Sequence, residues 1–379
     1  MSEFKLTTVE EFEAATNRLL ETGAKVGADS WQMRVKNQTP HCKFGEQGIC
    51  CRICAMGPCR ITSKAPRGIC GCDAHGIVGR NYLKFTAGGA SAHSDHGREI
   101  CHTLHCTAED GNYKVKDPEK LIRIAKEWGI ETEGKDIYAL AHEVAEVGLM
   151  EYGKPFGYQR FLDRMPAGQK EKLIEDEIAP RAIDREVSSS LHMTHMGCSS
   201  LPEALVKQSI RCGLADGWGG SMMGTEFSDV LFGTPKPIDT EANLGVMVEE
   251  NVNIVVHGHD PSLSEMICEY ADDPEMIAYA KEMGAKGITV SGVCCTSNEV
   301  AMRRGIPMAG NFLQQENVVL TGACEAIVVD VQCIFPALGP LSKCFHTKFV
   351  TTSPIAQMPD SEFIRFSAET AGENAKAIV

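Results

Sequence analysis

With 379 residues, the chain is long enough for two or three domains with substantial cores. Hydrophobic residues make up 43% and charged residues 23%, which is ordinary for a water-soluble globular protein. The formal net charge of −14 argues against nucleic acid as a partner, and no apolar run is long enough to predict a membrane span.

The N-terminal residues are charged and amphipathic and lack the apolar core of a signal peptide. The chain has 17 cysteines, and a reducing environment is needed to keep that many thiols available for metals. We therefore expect a cytoplasmic protein in a cell or compartment that is poor in oxygen.

Helical spacing of apolar residues dominates the first part of the chain. Residues 1–40 predict one helix followed by a polar linker, and helical patterns resume after a cysteine-rich loop at 41–72. They continue through the segments EKLIRIAKEWGI, DIYALAHEVAEVGLMEYG and QKEKLIEDEIAPRAIDREVSSSLH. We predict an all-helical domain over residues 1–235, with the loop inside it.

The loop 41–72 holds seven of the 17 cysteines, interleaved with glycines. Thiols this dense are typical of a chain that binds soft metals, above all iron–sulfur clusters, and glycines let the backbone turn tightly around an inorganic core. Four of these thiols are spaced closely enough to surround one [4Fe–4S] cube. They are Cys51, Cys54, Cys59 and Cys70.

Cys42 and Cys50 remain as half of a ligand set. The simplest completion is a symmetric partner that contributes the same two thiols across a two-fold axis. Cys72 is a further thiol beside Cys70 and could substitute for it. The alternative is a structural zinc site, although zinc ligands usually form two short cysteine pairs farther apart or include histidine.

The segment AHSDHGREICHTLH follows the loop and carries four histidines. Titrating groups in series can relay protons. The alternative is the solvated polar face of a helix. The four histidines are His93, His96, His102 and His105.

The pattern changes at residues 233–237, GTPKP. Short apolar β-rich runs now alternate with helical segments, which predicts a parallel sheet covered on both faces. We predict a Rossmann-like α/β domain over 236–379, and the fold class is α plus α/β. There is no GxGxxG phosphate loop. The last segment begins a helix without a stop signal, as in a chain cut short or continued on another polypeptide.

Three predicted strands end in residues that bind metals. The first strand is followed by His257 and His259, the second by Cys294 and Cys295, and a later one by Cys333. Functional groups gather beyond the carboxyl ends of parallel strands, and a mixed imidazole and thiol site suits nickel, iron or zinc. The alternative is that these are buried structural cysteines.

From about residue 40 to the C-terminus, the chain resembles the catalytic subunit of the anaerobic nickel-dependent carbon monoxide dehydrogenases. This family would imply a homodimer that oxidises CO with water, reversibly, to CO2, two protons and two electrons, which pass to a ferredoxin-like acceptor. The motifs that carry the resemblance are HCKFGEQGICCRICAMGPCR, GIVGRNYLKFTAGGASAHSDHGR, LADGWGGSMMGTEFSDVLFGTP, HGHDPSLSEMI, GVCCTSNEVAMRRGIPMAGNFLQQ, VVDVQCIFP and CFHTK.

The resemblance also implies roles for the cysteines of the loop. Cys42 and Cys50 would hold a cluster shared between subunits, the D-cluster, as [4Fe–4S] or [2Fe–2S]. One [4Fe–4S] cube in each subunit, the B-cluster, would be held by Cys51, Cys54, Cys59 and Cys70.

The active-site Ni–Fe–S cluster, the C-cluster, would by the same resemblance be ligated by His259, Cys295 and Cys333. The proton path of the family would run over His93, His96 and His102, with His93 nearest the reaction.

The chain also departs from the family pattern. Members carry a further α/β domain with three more cysteine ligands and an acid–base lysine, for which this sequence offers no candidates. Glu99 stands where the family often has histidine. Two hypotheses follow. Either the chain is part of a carbon monoxide dehydrogenase that a second polypeptide could complete, or it is a truncated, non-catalytic iron–sulfur electron-transfer or scaffold protein without a complete nickel site. We expect the chain alone to show no CO oxidation.

Overall fold

The computed structural model describes residues 9–109, 111–196 and 198–379. They form two compact units, one containing residues 40–233 and the other containing the residues up to Thr39 together with 234–379. The part of the predicted N-terminal helix that precedes residue 9 lies outside the described residues. Among those described, no helix is both long and apolar enough to cross a membrane.

The N-terminal segment forms two helices, α1 (Val9–Lys25) and α2 (Trp31–Asn37). We predicted that they belong to the helical domain, whereas the structure groups them with the α/β unit. The buried carboxylate of Glu316 accepts the backbone N–H of Trp31 at 2.6 Å and also binds the guanidinium of Arg34. The periodicity of a helix shows that it has an apolar face but not which core covers that face.

The helical unit is organised around one helix of 33 residues that packs against four others. Its buried positions include Ile77, Leu83 and Leu104. The elements of this unit are α3 (Lys43–Glu46), β1 (Cys50–Cys51), β2 (Cys59–Arg60), α4 (Ala74–Cys106), α5 (Pro118–Glu127), α6 (Ile137–Gly153), α7 (Gln169–Glu175), α8 (Ile183–Thr194), α9 (Pro202–Ala215) and α10 (Met222–Phe232).

The predicted helical segment at 169–192 is interrupted between α7 and α8. Pro180 disfavours helical backbone at the residue before it, and Glu177 has a φ of 60°. A second difference concerns the glycine-rich stretch after α9, which forms a π-helical turn, Asp216–Ser221, that leads directly into α10. Gly220 in this turn lies against α4, where a Cβ would come within 3.1 Å of the backbone of His93.

The α/β unit contains a six-stranded parallel sheet in the order β5–β4–β3–β6–β7–β8. Its elements are β3 (Val252–Gly258), α11 (Pro261–Ala271), α12 (Pro274–Glu282), β4 (Ile288–Val293), α13 (Cys294–Arg304), β5 (Met308–Gly310), α14 (Gln315–Leu320), β6 (Ala326–Val329), α15 (Leu338–Ser342), β7 (Lys348–Thr351), β8 (Glu362–Phe363) and α16 (Ala371–Ile378).

Separate apolar clusters cover the sheet, and the strands alternate between them. Val255 and Ile327 belong to one cluster, whereas Ile254 and Val328 belong to the other. A sheet buried on both faces accounts for the nearly continuous apolar strands in the sequence. The predicted fold class, α plus α/β with a parallel sheet, is confirmed.

Candidate metal centres

The order of the strands creates a crevice at one edge of the sheet. The chain moves outward from β3 to β5 and then returns to the other side of β3 to begin β6. Such a reversal opens a gap beyond the carboxyl ends of the two central strands, where open α/β sheets bind their ligands. His259 follows β3 and Cys333 follows β6, while β4 leads directly into Cys294 and Cys295.

These side chains converge at that edge. The ligand atoms of His259, Cys294 and Cys295 all lie within 4.8 Å of one another. The thiol of Cys294 hydrogen-bonds to Cys295 and contacts Cys333, and the hydrogen bond together with burial raises the pKa of Cys294. Thiols this close cannot all ionise unless a cation offsets their charge. One imidazole and three thiols fit a soft metal centre.

The ring orientation of His259 suits ligation through Nε2. Its Nδ1 lies 3.1 Å from the carbonyl oxygen of Val331, which can only accept, so Nδ1 carries the hydrogen and Nε2 keeps its lone pair. Burial lowers the pKa of His259, but the thiol of Cys295 and the carboxyl of Asp330 outweigh burial and raise it overall. The imidazole therefore faces the thiols with the nitrogen that a metal would use.

His257 has a different environment. Its side chain is fully buried, Nε2 lies 3.1 Å from Oε1 of Gln315, and burial lowers the pKa of His257 to about 4. The sequence left His257 and His259 open as ligands, and the structure groups only His259 with the thiols of Cys294 and Cys295.

Two of the clustered cysteines have left-handed backbone. Cys294 has a φ of 71°, Cys333 has a φ of 58°, and the preceding Gln332 has a φ of 68°. Residues with a side chain rarely adopt this conformation, which costs on the order of 1–3 kcal/mol for each residue and tends to occur at functional sites. The conformation depends on tertiary contacts, so the residue pattern alone does not predict it.

Asp330 holds the loop that carries His259. This residue was not identified from the sequence. Its buried carboxylate accepts the backbone N–H of His259 at 2.6 Å and that of Asp260 at 2.9 Å. The same carboxylate explains Gly258, which has a φ of 129° and whose Cβ would lie 1.8 Å from Oδ1 of Asp330. Burial raises the pKa of Asp330 to about 7. The available signal was an acidic residue at the end of an apolar strand, in VVDVQC.

The cysteine loop contains a short hairpin, which the sequence did not predict. Strands β1 and β2 are antiparallel and pair Cys51 with Cys59 and Cys50 with Arg60. Because consecutive strand residues point to opposite faces, the side chains of Cys50 and Cys51 lie in different surroundings. Cys50 is exposed, whereas Cys51 faces a cavity.

This cavity holds about 390 Å³ of empty space, part of it open to solvent. The backbone N–H of Ile69 donates to Sγ of Cys59 at 3.4 Å, and Gly68 lies against the same side chain. Thiols around a cavity, with an N–H directed at a sulfur, fit an iron–sulfur cube. Five cysteines line it, namely Cys51, Cys54, Cys59, Cys70 and Cys72.

Cys72 differs from its neighbour Cys70 in burial. Cys70 is exposed, whereas Cys72 is buried, and burial raises the pKa of Cys72. Cys42 is exposed like Cys50, and the backbone N–H groups of Gly45 and Phe44 lower the pKa of Cys42. Cys42 and Cys50 are therefore accessible to a second molecule.

The histidines identified in the sequence lie along α4. The Nδ1–H of His93 donates to the two carboxylate oxygens of Asp216, at 2.9 and 3.0 Å, and the Ser221 hydroxyl donates to the same carboxylate. The ring of His96 lies beside Gly224, and a ring nitrogen of His102 lies 3.6 Å from Sγ of its helical neighbour at position 106. The sequence did not single out Asp216, which opens the π-helical turn.

Comparisons with known proteins agree with the fold. Carbon monoxide dehydrogenase 1 of Methanosarcina mazei is 47% identical over 372 residues, which cover 97% of this chain and 59% of that protein. Carbon monoxide dehydrogenase 1 of Carboxydothermus hydrogenoformans is 44% identical over 378 residues, and that alignment covers 97% of this chain and 59% of that protein. The chain thus spans less than two thirds of the length of these relatives.

A nickel-free crystal structure of carbon monoxide dehydrogenase from Thermococcus sp. AM4 superposes with a TM-score of 0.93 at 49% identity, covering 95% of this chain and 58% of that one. Residues 49–379 match the Prismane/CO dehydrogenase family. The resemblance that the sequence motifs predicted is confirmed. With 331 of its residues in that match, the chain belongs to the Prismane/CO dehydrogenase family.

Proposed function

We propose that this chain forms part of a nickel-dependent carbon monoxide dehydrogenase. The enzyme would catalyse the reversible oxidation of CO with water to CO2, two protons and two electrons. The observation that carries the proposal is the convergence of one imidazole and three thiols beyond the carboxyl ends of the sheet, with His259, Cys294 and Cys295 within 4.8 Å. The likeness to carbon monoxide dehydrogenases over nearly the whole chain supports it.

The residues at the sheet edge would hold a Ni–Fe–S cluster, the C-cluster. His259 would ligate through Nε2, and Cys295 and Cys333 through their sulfurs, with Cys294 as a further thiol. When bound, such a cluster supplies a Lewis-acidic and redox-active centre. Asp330 fixes the backbone at His259, and the left-handed backbone at Cys294 and Cys333 sets the directions of their thiols. Rigid ligands are what a reactive metal centre requires.

A further α/β domain, on the same or a second polypeptide, would contribute the remaining ligands, because the sheet edge supplies its donors from one side.

We also propose a reducing cytoplasmic location, since all 17 cysteines, each within the described residues, are free thiols.

The protons released would leave over histidines of α4. His93 is suited to begin this path, because Asp216 holds its Nδ1–H and leaves Nε2 to accept a proton. His96 and His102 would follow along the same helix.

The electrons would leave through the cysteine loop. Cys51, Cys54 and Cys59, with Cys70, would hold a [4Fe–4S] B-cluster in the cavity that they line. The exposed thiols of Cys42 and Cys50 would meet the same two residues of a second copy and hold the D-cluster, [4Fe–4S] or [2Fe–2S], in a homodimer. A ferredoxin-like protein would accept the electrons at the surface.

CO-dependent reduction of a viologen dye tests the proposal, in protein purified without oxygen together with the polypeptide segment that completes the cluster. We expect activity and bound nickel, and we expect Cys295→Ser to remove both. Cys344→Ser changes a thiol of the same unit outside the group and serves as the control. Iron without nickel and without CO-dependent reduction would contradict the proposal and favour the non-catalytic electron-transfer protein.

A further inference from the structure

A second group of potential metal ligands lies on the surface of the helical unit. None of its residues belongs to the cysteine loop 41–72. His105 lies in the last turn of α4 and Glu109 lies four residues later, in the turn that follows the helix. His142 and Glu146 have the same spacing within α6. Four residues are close to one helical turn, so His142 and Glu146 project from one face of α6. The same pattern, His-x-x-x-Glu, therefore occurs on two neighbouring segments.

The two pairs meet. The rings of His105 and His142 have their centroids 4.0 Å apart, and the ligand atoms of His105, His142 and Glu146 lie within 4.8 Å of one another. Oε2 of Glu146 lies 3.9 Å from Nδ1 of His142, and Oε1 of Glu109 lies 3.9 Å from Nε2 of the same ring. Two imidazoles and two carboxylates thus share one small volume.

The backbone beneath this group is fixed by close packing of α4 on α6. One turn before His105, the buried thiol of Cys101 donates to the carbonyl oxygen of Ala145 at 3.2 Å. A Cβ on Gly148 would come within 2.9 Å of that same sulfur. Only small shifts of the partly exposed side chains are then needed to bring the ligand atoms to the separation of about 3.3 Å that tetrahedral zinc requires.

We propose that His105, His142 and Glu146 bind one divalent transition-metal ion of the zinc class. Imidazole nitrogen and carboxylate oxygen are suitable donors for such an ion, and three protein ligands leave a fourth position for water. An ion on the Glu146 side of the His142 ring leaves the other ring nitrogen facing Glu109, the carboxylate–histidine–metal arrangement that holds ligand rings in place. The ion would join α4 to α6. The side chain of Glu146 is 60% exposed, which gives the ion access from solvent.

Zinc titration of the complete protein, with its clusters in place, tests this site. We expect the parent protein to bind one more Zn²⁺ per chain than the double variant His105→Asn/His142→Asn, and each single variant to bind it at least about tenfold more weakly. His192→Asn changes an exposed histidine outside the group and should behave like the parent. Zinc bound by cysteines contributes equally to all these proteins, so the difference reports this site alone.

Crystals soaked in zinc give a direct location for the ion. An anomalous peak between His105 and His142 supports the site, and equal zinc stoichiometry in the parent and the double variant overturns it. If the double variant does not fold, Glu146→Gln decides, because its side chain is largely exposed and the substitution removes only the charged ligand. Unchanged zinc affinity in that variant, with no peak at the group, likewise overturns the proposal.

Discussion

At the scale of single residues, the candidate centre at the sheet edge depends on a carboxyl group that binds no metal itself. Asp330 is buried and accepts the N–H groups of His259 and Asp260, while Gly258 leaves room for it. Removing this side chain would leave backbone N–H donors without an acceptor. The free-energy cost of an unsatisfied buried donor is larger than the net contribution of one hydrogen bond.

We expect Asp330→Ala to lower the free energy of unfolding by about 2–4 kcal/mol, because the backbone N–H groups of His259, Asp260 and Val331 lose their acceptor. Asp330→Asn keeps one acceptor oxygen and should cost less. Denaturant unfolding measures both. Asp272→Ala, which changes an exposed aspartate of the same unit, should shift the value by less than about 0.5 kcal/mol. Equal stability of Asp330→Ala and that control would show that Asp330 does not hold the loop.

Residue types at the strand ends predicted a group of imidazole and thiol side chains at this candidate centre. They did not show which of two adjacent residues would join the group. The strand ends pointed to His257 or His259 and to Cys294 or Cys295, since adjacent residues share the same local signal. Tertiary contacts distinguish the two histidines, because Gln315 binds the ring of His257 and Val331 orients that of His259. Both cysteines lie beside His259. The left-handed backbone at Cys333 also arises from packing rather than from local sequence.

At the scale of elements, α4 brings the histidines and the packing surfaces of the helical unit onto one helix. Its glycines differ in what they permit. Gly97 lies against the π-helical turn that precedes α10. A Cβ on Gly97 would come within 2.6 Å of the carbonyl oxygen of Gly220 and of the Tyr152 hydroxyl. By contrast, nothing lies within 4 Å of a Cβ on Gly88.

Gly97→Ala and Gly88→Ala should therefore have opposite effects on stability. Alanine is a better helix former than glycine by about 1 kcal/mol, so Gly88→Ala should stabilise the protein by up to that amount. At Gly97 the overlap with backbone should outweigh this gain and lower stability by about 1–3 kcal/mol. Thermal unfolding of the two variants provides the comparison. Two shifts of the same sign would mean that α4 does not pack as described.

Helix α8 offers a test that depends on pH. Glu186 is buried and binds Arg181, with Nε of Arg181 at 2.7 Å, and also accepts from Gln208. Burial alone would raise the pKa of Glu186, but these partners outweigh burial and hold it below its ordinary value of 4.5. A carboxyl group with a lowered pKa in the folded state stabilises the protein above the unfolded value, and that contribution is lost as the pH falls.

We therefore expect Glu186→Gln to destabilise the protein at pH 7 by about 2–3 kcal/mol, and the gap to the parent to narrow as the pH falls below about 4.5. Unfolding free energies measured across that range check the sign. Glu171→Gln changes an exposed residue on α7 and should track the parent at every pH. A gap that widens in acid would refute the assigned pairing.

The sequence predicted element types better than their limits or neighbours. Alternation of apolar strands with helices was sufficient to predict the parallel sheet, because strands buried on both faces have a distinctive composition. The break between α7 and α8 followed from Pro180, which the helical spacing on either side obscured. The grouping of α1 and α2 with the α/β unit depends on contacts such as Trp31 with Glu316, almost 300 positions apart.

At the scale of the whole molecule, the proposal requires two copies of the chain to share one cluster. Each copy has one closed set of thiols around a cavity and one exposed pair, Cys42 and Cys50. Three cubes of four irons then give about 12 irons for two chains, not counting any active-site cluster. An exposed pair of thiols from one chain alone cannot complete a cube.

Cys42→Ser combined with Cys50→Ser should accordingly remove about four irons per two chains, or about two if the shared cluster is [2Fe–2S], and leave one cube in each chain. Iron and sulfide analysis gives the count, and sedimentation in the absence of oxygen shows whether the dimer survives. Cys198→Ser removes an exposed thiol elsewhere in the helical unit and should leave the iron content unchanged. If the double variant keeps all its iron, the two cysteines do not bind a shared cluster, and the electron path must leave each chain by another route.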